Sequence, residues 1–169
     1  MSSSEWQIGM VGLGSLGLPM AANLRRAGLK LQVHTRSRRA ENDPQLRGTR
    51  PCDSPATAAQ NVNVLLLCVS DDNAVNHVLF GPNGAAAQLQ PGSIVIDCST
   101  ISPEGAKQAA AQLKHIGVHY LDAPVTGGTE GARAGSLTVL VGGDAAVLET
   151  VRPLLEVIGG SIHHIGPVG

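Results

Sequence analysis

Gln7-Ile8-Gly9-Met10-Val11-Gly12-Leu13-Gly14-Ser15-Leu16-Gly17 carries a short apolar run directly into a GxGxxG. In a chain with 21 glycines that spacing alone is weak evidence. Its context gives it weight: a strand from Gln7 to Val11 precedes it, a helix opens after it, and a second strand follows. The first glycine makes the turn, the second lets the backbone approach a pyrophosphate, and the third lets the helix pack close to the strand. The N–H groups and dipole at the helix N-terminus then hold the phosphates. A dinucleotide is the ligand this arrangement predicts.

Working outward, the helix is expected from about Ser15 to Ala27, with Leu16, Met20, Leu24 and Ala27 on one face. Pro19 sits in its first turn, where a missing N–H costs little, and Gly28 supplies a left-handed stop. Leu31 to Thr35 reads as the second strand. Arg36 to Pro55 is polar and turn-rich, with a short strand placed near Thr49. Val62 to Val69 is apolar apart from Asn63, as a central strand buried on both faces requires. Asp71 or Asp72 caps the next helix, which carries Val75, Val78 and Leu79. The strand Ser93 to Asp97 precedes Ser102-Pro103-Glu104, which reads as cap, first helical position and first-turn acid. That helix runs to about His115, and Val118 to Asp122 is the next strand.

Thr126 to Gly135 is rich in glycine and small residues. Beyond it lie a strand from Leu137 to Val141, a helix from Asp144 to about Val157, and a short strand from Ser161 to Ile165. Strands alternating with helices predict an α/β fold: a doubly wound, mostly parallel Rossmann-type sheet with helices on both faces.

Composition agrees. Hydrophobic residues make up 43% of the chain and aromatics only 2%, so Ala, Val, Leu and Ile must fill the core. The net charge of −1 provides no global basic field for nucleic acid. No apolar run approaches the length of a membrane span. The start, MSSSEWQIGMVGLG, lacks a charged region followed by a long apolar stretch, so a cytoplasmic location is expected. Cys52, Cys68 and Cys98 show no metal-ligand spacing, and Cys68 and Cys98 fall in apolar runs where a thiol acts as a small hydrophobe. His163 and His164, adjacent on a strand, point to opposite faces and are not expected to share a metal ion.

Charge is uneven along the chain. Arg25, Arg26, Lys30, Arg36, Arg38, Arg39, Arg47 and Arg50 are eight of its twelve basic residues, against Glu41 and Asp43 in the same stretch. An exposed basic face is one reading; the end of the second strand offers another. NAD sites place an acid there to grip the ribose 2′-hydroxyl. Here the residues are His34-Thr35-Arg36-Ser37-Arg38-Arg39, with no acid before Glu41. Arg36 can bind a 2′-phosphate bidentately and Ser37 can add a hydroxyl. NADP(H) is therefore the preferred cofactor, with NAD(H) possible.

Four motifs in order, GLGSLGLPMAANL, VHTRS, DCSTISP (Asp97 to Pro103) and DAPVTGG (Asp122 to Gly128) with its continuation GARAGSLTVLVGG, resemble the 3-hydroxyisobutyrate dehydrogenase family. These are the β-hydroxyacid dehydrogenases, which include tartronate semialdehyde reductases. The resemblance covers nearly the whole chain. It implies that Gly12, Leu13, Gly14, Ser15, Leu16 and Gly17 cradle the pyrophosphate, and that Thr35, Arg36 and Ser37 hold the adenosine ribose. Cys68, Val69 and Asn73 would line the cofactor channel, and Thr100 would lie by the nicotinamide. Thr126, Gly127 and Gly128 would bind the carboxylate of a small substrate; the family commonly has serine where this chain has Thr126, and the hydroxyl is kept.

The resemblance also implies a lysine that shuttles the substrate proton. It belongs on a long helix after the loop begun at Gly166, and an all-helical domain would follow, closing the site and building a homo-oligomer. Neither Lys107 nor Lys114, both placed on an outer helix, substitutes for that lysine. Residues 1–169 are then expected to be the dinucleotide-binding domain of such an enzyme, inactive alone, with no catalytic residue of its own and a tendency to self-associate. Two other readings remain: a non-catalytic dinucleotide-binding module serving as sensor or interaction domain, and an imine reductase-like enzyme. A lysine on the following helix favours the enzyme over the module, and the carboxylate-suited DAPVTGG disfavours imine reduction.

Overall fold

A computed structural model describes residues 5–169. Residues 1–4, part of the start read above as lacking a leader, lie outside the described residues. The order is β1 (Gln7–Val11), α1 (Gly17–Arg26), β2 (Lys30–His34), β3 (Arg50–Pro51), α2 (Pro55–Ala59), β4 (Val64–Leu67), α3 (Asp72–Phe80), β5 (Ile94–Asp97), α4 (Pro103–His115), β6 (His119–Asp122), β7 (Val125–Thr126), α5 (Gly128–Ala134), β8 (Leu137–Gly142), α6 (Ala145–Ile158) and β9 (Gly159–Gly166). The strands join one sheet in the order β3-β2-β1-β4-β5-β6-β8-β7, with β9 beside β8. Pairings from β3 through β6 are parallel; β8 runs antiparallel to β6 and β7 and parallel to β9. This is the expected doubly wound, mostly parallel α/β sheet.

Successive strand residues face opposite sides, and the core divides accordingly. Ile8, Met10, Val64, Leu66, Ile94 and Ile96 pack with Met20 and Leu24 of α1 and with Leu148, Val151 and Leu155 of α6. Val11, Leu65, Leu67 and Val95 pack with Ala58 of α2, Val75 and Leu79 of α3, and Ala109 and Leu113 of α4. Helices therefore cover both faces. Parallel strands buried on both faces need continuous apolar runs, and all four residues of β4 are buried.

Several details differ from the sequence reading, the central strand among them, which is Val64–Leu67 rather than Val62 to Val69. α1 starts at Gly17 rather than Ser15, and Ala27, expected on its buried face, is an exposed C-terminal residue. The stretch Thr126 to Gly135, expected as glycine-rich connection, contains the end of β7 and the helix α5, anchored by buried Ala132 and by Asn23 Nδ2 donating to its carbonyl at 2.7 Å. Cys68 and Cys98 fall just past β4 and β5 rather than within them. The last strand is longer than Ser161 to Ile165, because parallel pairing with β8 begins at Gly159. Among the described residues, no helix is long and apolar enough to cross a membrane.

Candidate functional site

β1 and β4 are neighbours, but the chain leaves their carboxyl ends toward opposite sides of the sheet. A crevice opens where strand order reverses in this way. A cavity of about 740 Å³ lies there, walled by Gly12–Gly17, His34–Ser37, Cys68–Asp71, and Asn73, Ala74 and His77 of α3.

The three glycines of the turn have distinct jobs. Gly12 has φ +99, and a Cβ there would collide with the Cys68 carbonyl. A Cβ on Gly17 would collide with the Gly12 carbonyl, so α1 sits hard against the turn. Gly14 is the opposite case: a Cβ would meet nothing within 4 Å, and its bare backbone faces the cavity. The start of α1 differs from those of the other longer helices. Side chains of Ser54, Asp71, Ser102 and Asp144 cap α2, α3, α4 and α6, whereas α1 has no side-chain cap. The Leu18 N–H already donates to the Gly14 carbonyl at 3.0 Å and Pro19 has none, so the N–H groups ahead of Leu18 and the positive end of the helix dipole are what suit an anion. Open space at Gly14 beside these donors fits a dinucleotide pyrophosphate.

At the β2 end, Thr35 Oγ1 accepts from the Leu13 N–H at 3.4 Å and ties the two loops together. Arg36 and Ser37 are exposed on the cavity wall. His34 is buried, and its Nδ1 donates to the Cys52 carbonyl at 2.8 Å.

At the opposite end, a polar chain fastens the loops after β4 and β5. The Val69 N–H donates to Ser99 Oγ at 2.9 Å, the Ser99 N–H to Asp97 Oδ1 at 2.9 Å, and the Tyr120 hydroxyl to Asp97 Oδ2 at 2.8 Å. Burial raises the Asp97 carboxyl, and its Ser99 and Tyr120 hydrogen bonds oppose the rise. Burial and the neighbouring Asp97 also raise the Tyr120 phenol. A second tie joins α3 to α4: Ser102 donates to Asp72 Oδ1 through its hydroxyl at 2.5 Å and its N–H at 3.2 Å. These bonds hold the Asp72 carboxyl below its ordinary value. Cys68, on the cavity wall, has its thiol pushed up to about 11 by burial first and Asp97 second.

The NAD binding domain of 6-phosphogluconate dehydrogenase matches residues 7–166 as a family. The chain belongs to that family. Among curated relatives it is 40% identical to an NAD-dependent L-serine dehydrogenase of Pseudomonas aeruginosa, over 96% of this chain and 55% of that protein. It is also 40% identical to a 2-hydroxy-3-oxopropionate reductase of Escherichia coli, over 96% of this chain and 56% of the relative. A solved structure of Mycobacterium tuberculosis 3-hydroxyisobutyrate dehydrogenase with L-serine superposes with a TM-score of 0.91 at 32% identity, covering 96% of this chain and 55% of that one. The chain spans about half the length of the curated relatives it matches.

Within this NAD binding domain, the fold brings Gly12–Gly17, Thr35–Ser37, Cys68, Val69 and Asn73 onto one cavity. It does not bring Thr100 or Thr126, Gly127 and Gly128 there. Thr100 stands exposed past β5, and the other three are exposed where β7 meets α5. Gly127 and Gly128 take φ +132 and +65, and α5, like α1, begins without a side-chain cap.

Sequence reasoning missed several cavity residues. His34 and Ser70 follow the rule that ligands sit past strand ends, and Ala74, His77 and Val78 follow from Asn73 by helical spacing. Pro55 had no such signal. Asp97 accepts a turn bond from the Ser99 N–H, and Asp122 accepts from the Gly169 N–H at 3.2 Å. His164 Nε2 donates to the Gly143 carbonyl at 2.8 Å, and among the described residues no three His, Cys, Asp or Glu side chains gather to hold a metal ion.

Proposed function

We propose that this chain is the dinucleotide-binding domain of an oxidoreductase that moves a hydride between NADP(H) and a small β-hydroxyacid or its semialdehyde. The observation that carries the reading is the cavity at the strand-order reversal. It has the open face of Gly14 and the uncapped start of α1 at its centre, and Arg36 with Ser37 on one wall. The names of the relatives supply the substrate class: L-serine, 2-hydroxy-3-oxopropionate and 3-hydroxyisobutyrate are all small hydroxyacids or their oxidised partners.

When bound, the nicotinamide carries the hydride. The protein's part is to place it and to manage charge. The Gly12–Gly17 backbone and the α1 N-terminus receive the pyrophosphate, and Arg36 and Ser37 receive the 2′-phosphate. Cys68, Val69 and Asn73 line the path to the nicotinamide end, where Thr100 sits past β5. Thr126, Gly127 and Gly128 take the substrate carboxylate through a hydroxyl and backbone N–H groups.

Preference for NADP(H) rests on Arg36 and on the lack of a carboxylate among the β2-end residues of the cavity wall. Titrating the chain with NADPH and NADH, by calorimetry or nucleotide fluorescence, decides it. Equal affinities, or tighter NADH, would refute the preference.

The lysine that handles the substrate proton comes, in this reading, from outside residues 1–169. Lys30 begins β2 at the end of the strand away from the cavity, and Lys107 and Lys114 are exposed on α4. General acid–base help is typically worth about 10²–10⁴-fold, so the chain alone should bind cofactor without appreciable turnover. The test is a steady-state assay beside a longer protein that includes the segment after Gly169. Comparable rates would place the acid–base group within these residues. The longer protein is proposed to form a homo-oligomer. Self-association of the chain alone, with Leu140 and Ile165 exposed at 40% and 67%, is measured by sedimentation.

A further inference from the structure

The loop after β2 does contain an acid close to the ribose end, and it is turned inward. The Glu41 side chain is only 2% exposed. Its Oε1 accepts from the Thr35 backbone N–H at 3.0 Å, and its Oε2 accepts from Arg38 Nε at 2.7 Å. Arg38 continues to Asp53 Oδ1 at 2.9 Å. Its backbone has φ 60, a left-handed conformation disfavoured for any residue with a Cβ. Thr35, Arg36 and Ser37 line the cavity, whereas Arg38 and Glu41 stand one layer behind them.

This placement matters because a carboxylate near the end of β2 is the group that favours a ribose 2′-hydroxyl and repels a 2′-phosphate. Glu41 lies one peptide away from the wall, joined to it through the Thr35 N–H. The His34 ring is the other side chain close by, with Nδ1 3.7 Å away, and that nitrogen already donates to the Cys52 carbonyl.

We propose that Arg38 is a specificity-determining positioning residue: it neutralises Glu41 behind the wall, so that the cavity presents the charge of Arg36 to a 2′-phosphate without an opposing carboxylate. The inference rests on the reading of this cavity as an NADP(H) site. Arg38 would act without touching the cofactor, through the charge it cancels. Its second acid, Asp53, has a side chain 90% exposed and is screened by water whether paired or not.

The test compares adenosine 2′,5′-bisphosphate with adenosine 5′-monophosphate as ligands of the 169-residue chain, by calorimetry at a pH of about 8. The unchanged chain should prefer the bisphosphate. Arg38→Gln should weaken bisphosphate binding on the order of tenfold and leave the monophosphate within about twofold, as one partly screened charge near the 2′ position would. Arg38→Lys keeps the charge and should bind like the unchanged chain. The double variant R38Q/E41Q removes the unmasked carboxylate and should recover bisphosphate affinity, a rescue that a merely structural role for Arg38 would not produce.

Equal losses for both ligands in R38Q, or no recovery in the double variant, would overturn the proposal while leaving the cavity assignment standing. An unchanged chain with no bisphosphate preference would overturn the NADP(H) reading of the cavity, and the proposal with it. If R38Q does not fold, Glu41→Gln decides: the amide still accepts from Thr35 and should bind the bisphosphate as tightly or tighter. A selective loss of bisphosphate affinity in E41Q would be fatal to the idea.

Discussion

Three substitutions within one motif should give opposite phenotypes. Gly14→Val places a side chain where a Cβ meets no atom within 4 Å and where φ lies outside the left-handed region. Its stability should stay within about 0.5 kcal/mol of the unchanged chain. The same side chain fills the space proposed for the pyrophosphate. Losing two charge-assisted hydrogen bonds, at roughly 1.5–3 kcal/mol each, weakens NADPH binding by at least about a hundredfold. Gly17→Ala is the reverse. Its methyl group runs into the Gly12 carbonyl, a backbone atom that cannot rotate away, and lies 3.5 Å from the Cys68 Cβ. Overpacking of this kind costs about 1–3 kcal/mol, or a fall in Tm of about 2–12 °C for a chain of this size. Gly12→Ala adds left-handed strain to its own collision and should fall further. Thermal melts without nucleotide and NADPH titrations of each folded variant separate the two effects. If Gly14→Val melted as low as Gly17→Ala, or bound NADPH with unchanged affinity, the division of labour among the glycines would be wrong.

Other outcomes follow from the same geometry. Arg36→Ala should cut the preference for NADPH over NADH by about 1–3 kcal/mol; an unchanged ratio in paired titrations would remove Arg36 from the ribose site. Cys68, with its thiol raised to about 11, should resist alkylation at a pH of about 8, because the thiolate is the reactive form. Rapid labelling there, located by mass spectrometry, would contradict the burial that protects it. Ser102→Ala removes the N-cap of α4 and the hydroxyl that bonds Asp72, leaving only the backbone N–H of residue 102 to it, and costs about 1 kcal/mol for the cap. Because the folded-state Asp72 pKa is depressed, its contribution is present above the unfolded carboxylate pKa and is lost as pH falls through the folded value. The gap between S102A and the unchanged chain in urea unfolding should therefore shrink in acid, and a gap that widened would refute the assignment.

What could be read from sequence was whatever local chemistry dictates. Apolar runs such as Val64 to Leu67 and caps such as Ser102-Pro103-Glu104 mark their segments by local pattern alone. α5 was not legible because its seven residues, GTEGARA, include two glycines and carry little helix propensity of their own. Burial of Ala132 and the bond from Asn23, distant in sequence, hold it. The same limit applies at the candidate site. Gly12 to Gly17 and Arg36 announce themselves by spacing and charge, whereas the pairing of Arg38 with Asp53 depends on how two loops meet. Glu41 could be counted along the chain, but only the fold shows that it faces inward.

The uncapped start of α1 has a consequence for how long the chain survives. It has no side-chain cap, so an anion in the cavity adds a partner that the Leu18 to Gly14 backbone bond alone does not supply. A nucleotide that binds only the folded form adds about 2.7 kcal/mol of stability at a hundred times its Kd. Proteases and chaperones act on the opened form, and shifts of that size change abundance several-fold. The quantity of this protein in a cell would then rise and fall with its nucleotide supply, making its own abundance a gauge of the coenzyme it serves.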